Sequence, residues 1–300
     1  MFSNIYSSDI INKLLLIKKD VGTNINFHRK AQKLLPDLGS IKFISKVFEH
    51  NLKHNSFLNK QWTSCEIPQL TVYQDDEITI KYHFFLPVKN LNNYNAAYLI
   101  HHHGDNILSS HIFYGPGYQT IEFKKGILHL SDKSYKLKIS KDFFHANGAT
   151  NLLEDYTPHL VFNVSKPTGS IALWSNSDIN TSEKLRLNYT LKKGKFYGFT
   201  DSQFITEVKK DSRFEDNSEK HVQAICYFMQ QLGYDNKPFI NSVLSETKLN
   251  NFWQKWLTKL KNEELIEFPN FENLINTLGK KISIYDIRKS SRSRKFSFFN

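Results

Sequence analysis

Three consecutive histidines carry the most concentrated metal-binding chemistry in this 300-residue sequence. His101, His102 and His103 follow Leu99 and Ile100 in a segment typical of a β strand. Because side chains alternate along a strand, His101 and His103 are predicted to share one face while His102 points away. Two neutral imidazoles at this spacing can bind one iron, zinc, copper or nickel ion.

A further histidine begins another predicted strand. His159 lies 56 residues after His103, in the segment Pro-His-Leu-Val-Phe-Asn of residues 158–163. The gap leaves room for about four strands, and a barrel returns strands to its mouth over such distances. His101, His103 and His159 can therefore meet at one ion.

The residues alone leave other interpretations open. A His-x-His pair is also common as an ordinary polar pair on a strand, and His159 can be a simple strand-opening residue. His111 is a spare ligand, and Asp105 can pair with His103 in a His-x-Asp arrangement. Asn163 is expected to support the barrel mouth by hydrogen bonding, and His102 to be structural.

Together these segments resemble the two-motif pattern of cupins, over roughly residues 66–180. They look most like the cysteine dioxygenase type, whose Ile-His-x-His-x-Asp and His-x-x-x-Asn segments are similar to residues 100–105 and 159–163. The resemblance implies a mainly-β fold, a jelly-roll barrel or double-stranded β-helix. It also implies ferrous iron held by His101, His103 and His159, with positions open for substrate and O₂. Zinc, manganese or nickel are alternatives on the same ligands.

One departure from the family pattern concerns the ligand set. Many cupins have a glutamate four or five residues after His-x-His, but Ile107, Leu108 and Ser109 stand there in this sequence. That absence fits the three-histidine subtype. Some relatives also have a cysteine near position 108 that cross-links to tyrosine, and it is absent too.

A second departure concerns the substrate. Thiol dioxygenases hold the substrate carboxylate with an arginine on an early strand, and no arginine occurs between residues 29 and 186. Lys81, His83 or Tyr73 are candidate replacements, although none has the planar guanidinium fork. Cysteine itself is therefore not the expected substrate.

Aromatic residues supply the candidate pocket. Tyr114 and Tyr156 are the candidate catalytic hydroxyls, with Tyr118 as a further one, and core packing is the alternative for each. Residues 143–145, Phe-Phe-His, precede a glycine-containing turn and are predicted to form an entrance loop. The lumen is predicted to be lined by Phe85, Phe113, Tyr114 and Trp174.

The elements that must position these residues divide the chain into four parts. Residues 1–64 are predicted to be helical, 65–200 to form the β barrel, and 201–287 to be helical again. Residues 288–300 form a basic tail with no helical or strand period. The predicted strands, separated by turn signals, are 70–73, 78–86, 96–103, 111–114, 119–123, 136–139, 160–164, 171–174 and 185–191.

Composition excludes several classes of protein. Apolar residues make up 40% of the chain, with 24 Phe, which argues against disorder. Two cysteines exclude a disulfide scaffold and a cysteine-based zinc or iron–sulfur site. No apolar run is long enough to span a membrane, and no secretory signal is apparent, so a cytoplasmic location is expected.

The formal charge of +11 is compatible with a nucleic-acid partner. However, arginine, which nucleic-acid-binding proteins favour, supplies only six of the 40 basic residues. Nucleic-acid contact is therefore expected, if anywhere, through the basic tail.

The leading hypothesis is a metal-dependent oxygenase acting with O₂ on a small amino- or thiol-bearing molecule. The rival is a non-catalytic cupin that binds a partner or serves as a scaffold, its basic tail contacting nucleic acid or another anionic partner. Oxygen-independent zinc or manganese chemistry on the same ligands is a third hypothesis.

Overall fold

The structure, a computed structural model, describes eleven stretches of the chain. They are residues 8–62, 67–88, 103, 106–124, 128–131, 134–136, 139–155, 157–176, 216–246, 248–270 and 296–297. No helix among these residues has the length and apolar character needed to cross a membrane.

Helices occupy both ends of the described chain. Ser8, Asn24, Ser40 and Asn250 each begin a helix by accepting a hydrogen bond from a backbone N–H in its first turn. The N-terminal helices are α1 (Asp9–Val21), α2 (Ile25–Ala31), a 3₁₀ turn (Gln32–Leu34), α3 (Leu35–Leu38), α4 (Ile41–Leu52) and α5 (Asn55–Leu58). The C-terminal helices are α6 (Ser218–Gln231), α7 (Lys237–Glu246) and α8 (Asn251–Lys261).

The strands between the two helical groups form antiparallel sheets, and two of these sheets make up the barrel. Their bounds are β1 (Gln69–Gln74), β2 (Ile78–Phe85), β3 (Asn106–Tyr114), β4 (Gly117–Phe123), β5 (Leu128–Ser131), β6 (Ser134–Lys136), β7 (Ile139–Ala146), β8 (Thr150–Leu153), β9 (His159–Val161) and β10 (Thr168–Asn176). One barrel sheet has the order β1-β2-β10-β3-β8, and the other has the order β7-β4-β9. β5 and β6 pair with each other in a separate small sheet. The interleaved order is that of a jelly roll, so the predicted double-stranded β-helix is confirmed.

The two sheets face each other across a lumen. Tyr118 of β4 hydrogen-bonds to Ser110 of β3 and Ser170 of β10, which fixes one inward position on each of these strands. Since side chains alternate, every second residue from these positions also faces the lumen wherever the strand pairing is regular. Phe85, Ile112, Tyr118 and Val164 form an apolar cluster there.

The opposite face of the five-stranded sheet carries the main core. Both helical groups pack on it, so one continuous apolar cluster joins Phe48 of α4, Ile80 and Phe84 of β2, Leu173 of β10 and Phe228 of α6. The Phe84 and Phe228 rings are stacked with centroids 4.7 Å apart. The helical segments therefore share one core with the barrel.

A buried histidine ties α2 to this sheet. The ring nitrogens of His28 lie 2.8 Å from Ser109 Oγ and 2.7 Å from Ser175 Oγ. Ser175 donates its hydroxyl proton to the carbonyl of Thr23, so it accepts from His28 Nε2–H, and Nδ1 accepts from Ser109. Burial lowers the pKa of His28 to about 3, which keeps this ring neutral.

The turn between β3 and β4 requires glycine at two positions. Gly115 and Gly117 have φ of +79° and +101°. A Cβ on Gly115 would lie 2.1 Å from the Pro167 carbonyl oxygen, and one on Gly117 would lie 1.9 Å from the His145 carbonyl oxygen. Any side chain would therefore open this turn at the end of the barrel.

Two expectations about local structure are wrong. The predicted entrance loop at 143–145 is part of β7, because Thr120 and Phe143 pair in an antiparallel ladder. Within the basic tail, Phe296 and Ser297 form a two-residue strand, β11 (Phe296–Ser297), that pairs with β6. The predicted strand at 185–191 lies outside the described residues, as does all of 96–103 except His103.

Candidate functional site

Two of the predicted metal ligands lie together. The imidazole rings of His103 and His159 have centroids 4.8 Å apart, although 56 residues separate them in the chain. His159 is buried and His103 is half-buried. His101, the remaining predicted ligand, and Tyr156 lie outside the described residues.

A backbone carbonyl orients the His159 ring. His159 Nδ1 lies 3.1 Å from the carbonyl oxygen of Thr157, which can only accept, so Nδ1 carries the proton. In the neutral ring the lone pair is then on Nε2. Metal-binding histidines in proteins characteristically donate their other ring N–H in this way.

Aromatic side chains continue the site across the lumen. The Trp174 ring of β10 lies 6.3 Å from His103 and 5.2 Å from His83. The His83 ring lies 6.2 Å from Phe85 on the same strand. Phe85 and Trp174 therefore occupy the inward positions predicted for them.

The candidate replacements for arginine separate into two groups. Lys81 and His83 lie opposite Ala172 and Ser170 of β10, on the lumen side of the sheet. Tyr73 instead donates its hydroxyl to Asp75, at 2.9 Å. Burial and the neighbouring Asp75 carboxylate raise the pKa of Tyr73. Lys81 and His83 therefore face the lumen.

Glu122 is a lumen residue that sequence reasoning missed. It lies directly opposite His159 on β9 and opposite Lys141 on β7, so these three side chains share one face. The carboxylate accepts from Asn151 Nδ2 at 2.9 Å and from Lys141 Nζ at 2.8 Å. Strand alternation along β4 would have found it once Tyr118 was known to point inward.

The Tyr118 hydroxyl, the further candidate catalytic hydroxyl, is buried between the two sheets of the barrel. Burial raises its pKa to about 12, against the opposing effect of hydrogen bonds with Ser170 and Ser110. The hydroxyl is therefore neutral at physiological pH and joins the two sheets. Its ring packs edge-on against His145, with centroids 5.4 Å apart.

Replacing Tyr118 with phenylalanine is expected to destabilise the fold by about 1–3 kcal/mol, because it leaves two buried serine hydroxyls without this partner. Urea unfolding monitored by far-UV circular dichroism measures the change. An unchanged free energy of unfolding would mean that Tyr118 does not link the sheets.

Tyr114 and Phe113 point to the helical side of the sheet. The Tyr114 ring lies 5.8 Å from Phe228 of α6, and Phe113 lies 5.4 Å from Tyr82. The prediction that Phe113 and Tyr114 line the lumen is therefore wrong. Tyr114 packs with the helices, which gives its hydroxyl no place beside His103 and His159.

The other barrel histidines are engaged elsewhere. His111, the predicted spare ligand, lies with Nδ1 3.1 Å from Thr150 Oγ1. His145 Nε2 donates to the carbonyl of Ala149 at 3.1 Å. Burial lowers the pKa of both histidines. Within the part of the chain that the structure describes, no three His, Cys, Asp or Glu side chains form a metal-binding group.

Among known proteins, only solved structures resemble this chain. No protein-family model matches the chain, and no curated protein matches it. KdgF from Halomonas sp. is 11% identical with a TM-score of 0.27, over 41% of this chain and 91% of that one. A cupin protein from Bacteroides fragilis is 10% identical with a TM-score of 0.26, over 40% and 86%.

The DMSP lyase DddQ from Ruegeria pomeroyi DSS-3 is 14% identical with a TM-score of 0.23, over 35% of this chain and 42% of that one. Identities and TM-scores this low say nothing about which reaction this chain performs. The strand order defines the fold: the chain has a cupin-type barrel with helices before and after it.

Proposed function

We propose that the chain is a metal-dependent oxygenase that oxidises a small amino- or thiol-bearing molecule with O₂ inside the barrel. His101, His103 and His159 hold the metal, which we take to be ferrous iron. The observation that carries the proposal is the 4.8 Å approach of the His103 and His159 rings inside a barrel of the expected type.

The side chains present fit such an ion. Imidazole nitrogen is a ligand for iron, zinc, copper and nickel, and the Nδ1–H bond to Thr157 presents Nε2 of His159 as the ligand atom. Three neutral ligands leave the full +2 charge on the ion. When bound, it supplies Lewis-acid and redox chemistry toward O₂.

The remaining lumen residues bind and orient the substrate. Trp174 lies next to His103, and Phe85 extends the apolar wall from His83, so both help to exclude water. Lys81 and His83 lie on the same side of the sheet, where a positive charge can attract a carboxylate. Lysine is a point charge, so it fixes the direction of a carboxylate less tightly than an arginine fork does.

The iron-loaded protein is therefore expected to turn over cysteine poorly, because orientation supplies a large share of such catalysis. The assay is O₂ uptake with cysteine, cysteamine, 3-mercaptopropionate and a panel of amines and aromatic amino acids. A larger, more apolar or tethered substrate should be preferred. Cysteine oxidation at about 1 s⁻¹ or faster would contradict the argument from the missing arginine. Absence of O₂ uptake with every compound would favour the non-catalytic hypothesis.

A further inference from the structure

We infer that Glu122 determines substrate specificity by binding a cationic amino group in the lumen. This inference rests on the proposed function and selects the amine from the two substrate chemistries named there. The Glu122 carboxylate is the counter-charge, and the substrate class is a primary amine.

The position of Glu122 follows from the register of three strands. Lys141, Glu122 and His159 are directly opposed on β7, β4 and β9. Directly opposed residues of an antiparallel pair have Cβ atoms about 4.5–5.5 Å apart. The His103 ring lies next to His159. A small molecule held beside the two histidines therefore comes within reach of Glu122.

The partners of Glu122 leave it capacity for a ligand. An ionised carboxylate can accept about four hydrogen bonds, and Glu122 accepts from Asn151 on one oxygen and from Lys141 on the other. Asn151 comes from β8 of the facing sheet, so it holds the carboxylate across the lumen. A substrate ammonium can add to this arrangement or replace the Lys141 ammonium.

The burial of the two charges is unequal. The Glu122 side chain is 3% exposed, whereas Lys141, on the edge strand β7, is 53% exposed. A half-exposed lysine can release its ammonium to water at little cost, because exposed ion pairs are weak and the lysine stem is flexible. Glu122 has no such route, so its negative charge stays in the lumen and favours a cation.

The alternative is that the Glu122–Lys141 ion pair only stabilises the fold. Two ligands of nearly the same shape distinguish this structural role from amine binding. Cysteamine and 2-mercaptoethanol share a thiol and differ in an ammonium against a hydroxyl. Their affinities for the iron-loaded protein are measured by isothermal titration calorimetry under nitrogen, without turnover. We expect Glu122→Gln to weaken cysteamine binding about 10- to 100-fold, the usual effect of a charge-assisted hydrogen bond, and to change 2-mercaptoethanol binding little.

Lys141→Met keeps the carboxylate and removes its competing ammonium, so it should tighten cysteamine binding. Glu219→Gln removes a carboxylate that pairs with Lys255 on the helical surface, and it should leave both affinities unchanged. If Glu122→Gln does not fold, the cysteamine affinity of Lys141→Met still tests whether Glu122 binds the amino group.

Equal losses for both ligands in Glu122→Gln, unchanged or weaker cysteamine binding in Lys141→Met, or no cysteamine binding by the wild type would each overturn the inference. The proposed function fails separately. A wild-type protein that holds iron and consumes O₂ but has no preference for the amine contradicts only the role of Glu122. A protein that holds no metal contradicts the proposed function itself.

Discussion

Replacing His159 with alanine is expected to abolish stoichiometric metal binding. His101→Ala and His103→Ala are expected to have the same effect, because each removes one of the three proposed ligands. Loss of a hydrogen-bond partner of a ligand typically weakens metal affinity about 10- to 100-fold, and loss of the ligand itself should exceed that. Elemental analysis after anaerobic loading and dialysis, on protein without a histidine tag, measures the effect.

His102→Ala is the matched control. Strand alternation predicts that His102 points away from His101 and His103, so this variant should retain about one metal ion per chain. His111→Ala is a further control, because His111 bonds to Thr150. If His102→Ala loses metal as completely as His101→Ala, the prediction that His102 lies on the opposite strand face is wrong.

The buried His28 is expected to make folding strongly acid-sensitive. Its pKa is about 3 in the folded protein and about 6.5 in the unfolded chain, so the unfolded chain binds the extra proton as the pH falls below about 6.5. The stabilising contribution is complete above the unfolded pKa and is lost toward the folded pKa. The loss is about 1.4 kcal/mol per pH unit, or about 3 kcal/mol by pH 4.5.

His28→Asn isolates this contribution, because asparagine does not titrate and can still bond to one serine. Urea unfolding at about pH 7 and about pH 4.5 should show a smaller loss of stability in the variant than in the wild type, by about 3 kcal/mol. Other titrating groups are common to both proteins and cancel. Equal pH dependence in wild type and His28→Asn would show that His28 is not the cause.

The pairing of His103 with His159 could be predicted from the sequence, since alternation and chain distance were sufficient. Phe85 and Trp174 also face the lumen, as expected for aromatic residues of the pocket. The histidine prediction needed only one strand at a time, together with the assumption that barrel strands return to one mouth.

Phe113 and Tyr114 were both predicted to line the lumen, although neighbouring residues of a regular strand face opposite sides. Ser170 pairs with Ile112 but Gly169 pairs with Tyr114, so one extra residue enters β3 at Phe113. A shift of one residue exchanges the two faces of a strand. Alternation from Ile112 already turns Phe113 toward the helices, and the bulge, which nothing in the sequence marks, turns Tyr114 the same way.

Glu122 and His28 depend on partners distant in the sequence. Alternation along β4 separates Tyr118 and Glu122 from Ile121, but it does not say which set faces the lumen. His28 lies on a helix and acquires its role from Ser109 and Ser175, which lie 81 and 147 residues further along the chain. Such contacts follow from the packing of the elements and not from any local pattern.

The central claim is that His101, His103 and His159 hold one metal ion. Anomalous X-ray diffraction at the iron absorption edge, on crystals of tag-free protein loaded anaerobically with ferrous iron, tests it most directly. The expected result is a single strong peak in contact with all three imidazole rings. A map with no peak between His103 and His159, or with the iron bound elsewhere, would contradict it.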